Sequence, residues 1–494
     1  MASSDAEVVV VGGGNAGMCA AIAAADAGRK VLLVEWAPEE RRGGNTFYTG
    51  GGVRIVHDGL DDVLKLAPDS IPGRDKLEIE PYTEQQYFDD IARVTEYRSD
   101  PELLEAFVAG SRSTIGWLAD LGMRFDLAYG RHSVVRDGRR RFFGGTVLEY
   151  VDGGQGIVEG MTKLAEQHGV DISYRTRLTG LELDERGHVC AVRVSSAGTE
   201  RTVRTRSIVL ACGGFEANPA MRAQYLGPGW DIARHRGTEY NRGDGLRLAL
   251  EIGADPYGHW SGCHAVQWDA NAPLVRDRAV PHGYERESYP IGVVVNQAGE
   301  RFVDEGANFF PYTYAKYGRA IMGQPGQVAH QIFDAKTRDL LLGEYRQKET
   351  TKVVRDTIPQ LARALEVDVR GLEETIRRFN EAVLAGEFDP TSLDGKATEG
   401  ITPVKSNWAV PIDTPPYLAF PVTVGVTFTF GGLRVNDRAQ VLDAAGSAIG
   451  GLYAAGEIVG GIFYHNYAGG TGLVSGAVLG RTAGLGAAEL AAAS

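Results

Sequence analysis

Cysteine is scarce in this chain of 494 residues, with only Cys19, Cys190, Cys212 and Cys263. None forms a C-x-x-C pair or shares metal-ligand spacing with a histidine. That argues against structural disulfides, a zinc site, any other bound metal and an in-chain iron–sulfur cluster. No apolar run is long enough to span a bilayer, so no integral membrane segment is expected. Positive charge is in deficit too. Lys and Arg number 51 against 64 Asp and Glu, a net −13, which argues against nucleic acid or an anionic membrane surface as partner. An anionic substrate stays possible, because a local cationic pocket can sit in an acidic protein. Internal repeats are missing, and low complexity is confined to a short alanine tail. The opening MASSDAE runs straight into a strand, which gives the expectation of a soluble cytoplasmic protein without a signal peptide.

What is abundant is glycine, 65 residues, gathered at a few turns. Val8 to Val11 is an unbroken apolar strand of the kind buried on both faces of a parallel sheet. It leads into Gly12-Gly13-Gly14-Asn15-Ala16-Gly17, then an alanine-rich helix to Gly28 and a second strand, Lys30 to Val34, ending at Glu35. Gly12 permits a tight turn, Gly14 lets a pyrophosphate approach the backbone, and Gly17 lets helix and strand close together. The helix start supplies N–H donors, and Glu35 is placed to accept from a ribose hydroxyl. A second glycine-rich loop, Arg41 to Thr46 and Tyr48 to Gly52, suits backbone wrapped around a long cofactor. Ala211-Cys212-Gly213-Gly214-Phe215 ends another buried strand. Asn241 to Gly245 and Asn466 to Gly472 each open a helix.

Length alone predicts two domains. The first would run over 1–259 and return over 428–494. An inserted capping domain would occupy 260–427, where aromatics and mixed loops replace the glycine turns. Its densest aromatic run is Pro311 to Arg319, PYTYAKYGR. Arg136 to Arg141 reads as a solvated basic hairpin, with a substrate-anion contact as the alternative.

Several stretches carry a family resemblance: RRGGNTFYTGGG, ACGGFEANPAMRAQYLGPGW, GCHAVQWD, RFVDEGANFFPYTYAKYGR, VTFTFGGLRV and GLYAAGEIVGGIFYHNYAGGTGL. Together they resemble the flavoprotein superfamily of succinate dehydrogenase and fumarate reductase, and within it the FAD-dependent tricarballylate dehydrogenase branch. The resemblance implies an α/β fold, a Rossmann-type FAD-binding domain with an inserted α+β capping domain. It also implies noncovalent FAD, because Asn45-Thr46 stand where members with covalent flavin carry a histidine. The cofactor contacts expected are Gly12, Gly14, Asn15, Ala16, Gly17, Glu35, Trp36, Arg42, Gly43, Gly44, Asn45, Thr46, Gly51, Gly52, Leu178, Ala211, Gly213, Gly214, Asp244, Gly456, Glu457, Gly472, Leu473 and Val474.

Departures from that family shape the expected chemistry. Tyr467 stands where fumarate reductases place an arginine, and Phe428 where they carry a substrate-binding histidine. Arg301 matches their proton-relaying arginine, and His264 a substrate histidine. Ketosteroid 1-dehydrogenases are similar at Tyr467 and at Tyr314. The expected activity is therefore a dehydrogenase desaturating the α,β bond of a carboxylate, tricarballylate-like, or of a cyclic ketone, with hydride to flavin N5. Tyr314 would be the base, helped toward phenolate by Arg301 or Arg319. Tyr467 and the Thr471 N–H would stabilise the oxyanion. Substrate contacts are expected from His264, His465, Arg319 and Phe428, and a polycarboxylate would draw on Arg131, Arg236 or Arg286. Two alternatives stay open: a reductase of an activated C=C bond, and a flavin subunit that passes electrons to a partner. With no cluster or haem site in the sequence, an external acceptor is required, either an iron–sulfur, quinone-linked protein or oxygen.

Overall fold

Four apolar tetrapeptide-scale strands set the centre of the molecule, and the rest packs around their edges and carboxyl ends. The computed structural model describes residues 5–70, 73–274, 278–280 and 283–493. Its principal strands in chain order are β1 (Val8–Val11), β2 (Val31–Val34), β3 (Asp171–Ser173), β4 (Ser207–Leu210), β5 (Arg234–His235), β6 (Pro256–Asp269), β7 (Val293–Val295), β8 (Ala329–Phe333), β9 (Val353–Arg355), β10 (Tyr417–Leu433), β11 (Gln440–Leu442) and β12 (Ala448–Ala454). Three helices matter most for the site: α1 (Asn15–Asp26), α2 (Tyr314–Met322) and α3 (Thr471–Ala492).

The first sheet has the order β11-β12-β4-β1-β2-β3. β1 pairs in parallel with β2 and β4, β2 with β3, and β4 with β12, while β11 is antiparallel at the edge. β1 is buried along its whole length, which is why its sequence is continuous apolar rather than alternating. The chain leaves β1 toward β2 on one side and places β4 on the other. A crevice therefore opens beyond their carboxyl ends, at the switch in strand order where such sheets bind ligands. α1 and α3 both start at that crevice, and each has a glycine, Gly14 or Gly470, at its N-cap, so the N-cap residue supplies no side-chain cap.

These two helices cross closely because small residues face each other. A Cβ on Gly480 would collide with the Ala16 carbonyl, and one on Gly484 with the Ala20 carbonyl. The last helix is thereby seated against the first, and the two ends of the described chain meet at one wall.

The second sheet has the order β5-β10-β8-β7, with β6 and β9 also pairing with β10. β6 and β10 run antiparallel from Pro256↔Leu433 to Asp269↔Val422, a ribbon that reaches from the first sheet into the cap. A separate apolar cluster holds the outer cap together. It gathers Val293, Val295 and Ile332 against Leu361, Leu372, Ile376 and Phe379. The helix Val369–Ala382 supplies Leu372, Ile376 and Phe379 to that cluster. The basic hairpin is also present, pairing Arg136 with Arg139 across its turn. Its charges are spent locally: Arg139 and Arg141 on Glu78, and Arg136 on Asp389.

The α1–α3 crossing yields a direct test. Gly480→Val forces the helices apart and is expected to cost on the order of 1–3 kcal/mol, read as a lower urea midpoint with far-ultraviolet dichroism otherwise retained.

Candidate cofactor and substrate site

A cleft of about 290 Å³ runs from the β1 turn to the aromatic end of the cap. Of the expected cofactor residues, Gly12, Gly14, Asn15, Ala16, Glu35, Trp36, Gly44, Asn45, Thr46, Gly52, Leu178, Ala211, Gly213, Asp244, Gly456, Glu457, Gly472 and Leu473 line it. Gly17, Arg42, Gly43, Gly51, Gly214 and Val474 do not. Gly17 is instead the close contact between α1 and the turn, where a Cβ would strike the Gly12 carbonyl. Gly43 packs on Val158, and Gly214 on Thr429 and Glu457.

At the nucleotide end the turn is drawn tight. Gly12 has φ +104°, and a Cβ there would collide with the Ala211 carbonyl. Glu35 is buried at 6% exposure and accepts from the Gly13 and Ala37 N–H groups, both at 2.7 Å. Desolvation pushes its carboxyl up, against the pull of these N–H bonds. Asn15 Nδ2 donates to the Leu473 carbonyl at 2.8 Å, tying the start of α1 to the start of α3. Its Oδ1 is buried without a partner. The Asn15 N–H donates to Thr46 Oγ1 at 2.9 Å. Asp244 accepts two bonds from Arg177, at 2.7 and 2.8 Å, and the Arg177 guanidinium lies 4.3 Å over the Trp36 ring. A turn too tight for a side chain, two helix starts with glycine N-caps and an orphaned amide oxygen are what an extended dinucleotide needs. The residues present fit the group. Sequence reasoning missed Arg177, although it sits beside Leu178, which the structure places with it in the strand Thr176–Leu183.

The aromatic end gathers residues from distant parts of the chain. His264 comes from β6, Phe428 from β10, Tyr314 from the start of α2, and Tyr467 from the turn before α3. His264 meets the Tyr314 ring edge-on at 4.7 Å and the Tyr467 ring at 4.8 Å, and the two tyrosine rings are 6.1 Å apart. Phe428 lies 6.1 Å from Tyr467. Burial holds His264 well below its ordinary value, so its ring is neutral. Desolvation pushes the Tyr314 phenol well above 10, with Tyr467 and Glu287 adding to the rise; Arg236 and Arg131 pull the other way. Tyr467 is also raised by desolvation.

Four expected participants stand elsewhere. Arg301 does not line the cleft; it pairs with Glu305 and donates to the Pro403 carbonyl at 2.8 Å. Arg319 donates to the Ser261 carbonyl and lies over Trp230. His465 is exposed, and its N–H donates to His259 Nδ1 at 3.0 Å. Thr471 is fully buried and gives its N–H to the Ala468 carbonyl at 3.3 Å. The donor beside the phenol is the Gly472 N–H, 2.8 Å from the Tyr467 oxygen. The cations near Tyr314 are thus Arg236 and Arg131, which were expected as carboxylate contacts and not as partners of this phenol. Both are already engaged: Arg131 with Glu287 and, at 3.7 Å, Glu344; Arg236 with Glu285 at 3.1 Å. Arg286 is consumed by Asp269 at 2.6 Å and lies outside the cleft. Among the described residues that line the cleft, three buried side-chain nitrogens are without partners: Arg236 Nε, His264 Nδ1 and His132 Nδ1.

The fold and cleft define a flavin-dependent oxidoreductase, and comparison with known proteins agrees. Residues 7–473 match the FAD binding domain family, and the chain belongs to that family, within the succinate dehydrogenase/fumarate reductase flavoprotein superfamily. A probable fumarate reductase, Ifc3, of Shewanella frigidimarina is 29% identical over 492 residues, covering 99% of this chain and 75% of that protein. The chain spans about half, 48%, of an NADH:fumarate oxidoreductase of Klebsiella pneumoniae, again at 29% identity. A 3-oxosteroid 1-dehydrogenase of Mycobacterium tuberculosis is 26% identical, with 96% of each chain covered. The open form of a flavocytochrome c3 fumarate reductase superposes with a TM-score of 0.72 at 27% identity, over 98% of this chain and 78% of that one. The protein binds FAD and is an oxidoreductase acting on CH–CH groups. Among the described residues no helix is long and apolar enough to cross a membrane, and no His/Cys/Asp/Glu group could hold a metal.

The buried imidazoles set an acid limit on stability. His132, which lines the cleft, is held down to about 3 by burial and by Arg131, and His264 also lies well below its usual value. The unfolded chain takes up protons at about 6.5 that the fold refuses. Stability from these rings is complete above that pH and is expected to fall steadily as pH drops from about 6.5 toward 4. Urea melts across that range read the loss, and His132→Asn should flatten its slope.

Proposed function

We propose that the protein reduces a carbon–carbon double bond conjugated to a carbonyl or to a single carboxylate. The observation that carries this reading is the pairing of a neutral Tyr314 phenol with a cleft whose guanidiniums are nearly all spent. A neutral phenol gives up a proton and does not abstract one. Tyr314 is therefore the proton donor, aimed at the α-carbon of the substrate, and reduction is the direction favoured at neutral pH. The desaturation expected from the sequence runs through the same phenol once it is ionised.

Charge accounting narrows the substrate. A tricarballylate-like molecule brings three carboxylates, and buried anions need paired cations. Arg131 already answers Glu287 and Glu344, while Arg286 and Arg301 answer acids outside the cleft. Of the open nitrogens lining the cleft, Arg236 Nε and His264 Nδ1 lie on the Tyr314 side, enough for one carbonyl or carboxylate oxygen; His132 Nδ1 belongs to a neutral ring and adds no charge. Tyr467, tied to the Gly472 N–H, polarises that oxygen, and Phe428 and Phe310 form the apolar wall beside the reacting carbons.

The residues that would hold FAD are the Gly12–Ala16 turn, Glu35, Thr46, Asp244 with Arg177, and the α3 start at Gly472 and Leu473. The hold is noncovalent. When bound, FAD supplies the two-electron hydride chemistry. Electrons come from outside the chain, from a quinone-linked or iron–sulfur protein; in the reverse direction such a protein or oxygen accepts them. The chain divides at 259/260 and 427/428, with the middle stretch closing over the substrate.

Anaerobic reoxidation of the reduced holoenzyme tests the reading. Enones and mono-enoic acids are expected to restore the flavin absorbance, and tricarboxylates are not. Tyr314→Phe should slow that step by about 10²- to 10⁴-fold while the flavin spectrum of the oxidised protein is kept. The forward rate should stay flat from pH 7 to 9, and the reverse desaturation should rise across it. Rapid turnover of a tricarboxylate, or a Tyr314→Phe enzyme as fast as the parent, would remove the proposal.

A further inference from the structure

We infer that Glu216 and Glu457 share a single proton, and that Glu216 acts as a positioning residue that keeps Glu457 from presenting a full extra charge to the cofactor. Glu457 lines the cleft and Glu216 does not. They are brought together by the first sheet. Glu216 follows the glycine turn after β4, Glu457 follows β12, and those strands are parallel neighbours.

The geometry leaves the pair no other way to be satisfied. Glu216 is fully buried, at 0% exposure. Its Oε1 accepts from Asn45 Nδ2 at 2.6 Å and from Asn241 Nδ2 at 2.7 Å. The same Asn241 nitrogen also reaches Glu457 Oε2 at 3.5 Å, so one amide spans both carboxyl groups. Glu457 Oε1 accepts from the Thr429 N–H at 2.8 Å and from its hydroxyl at 3.2 Å. Glu216 Oε2 has no donor at all. Among the described residues no cation pairs with either acid. Arg222, which feels the charge of Glu216, is spent on the carbonyls of Trp230, Glu216, Asp231 and Ala233. Cys263, also facing Glu216, is held up to about 12 by burial and is neutral.

Two bare carboxylates buried side by side without a cation are too costly to persist, and such a pair titrates as a unit holding one proton. A proton between them replaces repulsion with a charge-assisted O–H···O bond and gives Glu216 Oε2 the partner it lacks. Burial pushes both carboxyls up, and the charge of Glu216 raises Glu457 further. The functional consequence follows from sign. FAD brings its own negative pyrophosphate, so the wall is compatible with it while the proton is held. As pH rises through the raised value, the pair gains a second negative charge and cofactor affinity falls.

Two readouts on the full chain test this. Glu149 lines the same cleft, and burial and the nearby Asp126 push its carboxyl up to about 7, so measurements start at pH 8.5, where it is ionised. The infrared spectrum of the apoprotein and holoenzyme there should show the carbonyl stretch of a protonated carboxyl, absent from Glu216→Gln. Glutamate labelled with ¹³C identifies that band in the parent protein even where the variant folds poorly. FAD affinity, followed by flavin fluorescence from pH 8.5 upward, should fall at least tenfold in the parent and stay level in Glu216→Gln. No protonated-carboxyl band at pH 8.5 would overturn the shared proton. A level parent profile, or one that the variant reproduces, would overturn its role in cofactor binding.

Discussion

The structure depends on the close approach of two helix starts at one crevice. α1 begins where β1 ends, α3 comes back from the far end of the chain, and the Asn15 side chain bonds across to Leu473. Only small residues allow that approach, since the Ala16 and Ala20 carbonyls of α1 sit where side chains on Gly480 and Gly484 would go. The positive ends of two helix dipoles then face a single cavity, which is a favourable field for an anionic ligand. Everything the cap adds is organised over that field. The β6–β10 ribbon is anchored in the first sheet at one end and delivers His264 and Phe428 to the cavity at the other.

The chemistry at the aromatic end is governed by desolvation more than by charge. Phenols and imidazoles placed among phenylalanines resist ionisation. Tyr314, Tyr467 and His264 are each pushed toward the neutral form, and the two arginines within reach are largely cancelled by buried glutamates. This setting differs from a clamp of free guanidiniums, and it matches a substrate that carries little charge.

Local features were readable in the sequence and long-range pairings were not. The glycine turn, its flanking strands and Glu35 lie within one stretch whose residue types are dictated by backbone geometry, and the sequence names nearly all of them. Tyr467 and Tyr314 were also legible, because each sits in a distinctive short motif. Arg301 was named by its match to the proton-relaying arginine of fumarate reductases, and the sequence did not reveal that a glutamate four residues on pairs with it outside the cleft. The partner of Arg131 lies 156 residues away, so no local pattern reveals that this arginine is neutralised. Thr471 was off by one position, since a helix start fixes which N–H points at a given neighbour and sequence alone leaves that register open. Glu216 went unnoticed because an acid after a glycine turn looks like an ordinary surface residue until its burial is known.

The central claim is that the Tyr314 hydroxyl rests as a neutral phenol. Carbon-13 resonances of ζ-labelled tyrosine, assigned with Tyr314→Phe and followed from pH 6 to 10.5 in the oxidised holoenzyme, measure that state directly. The account predicts a Tyr314 signal at the phenol position throughout the range. A signal already at the phenolate position near pH 7 would contradict it.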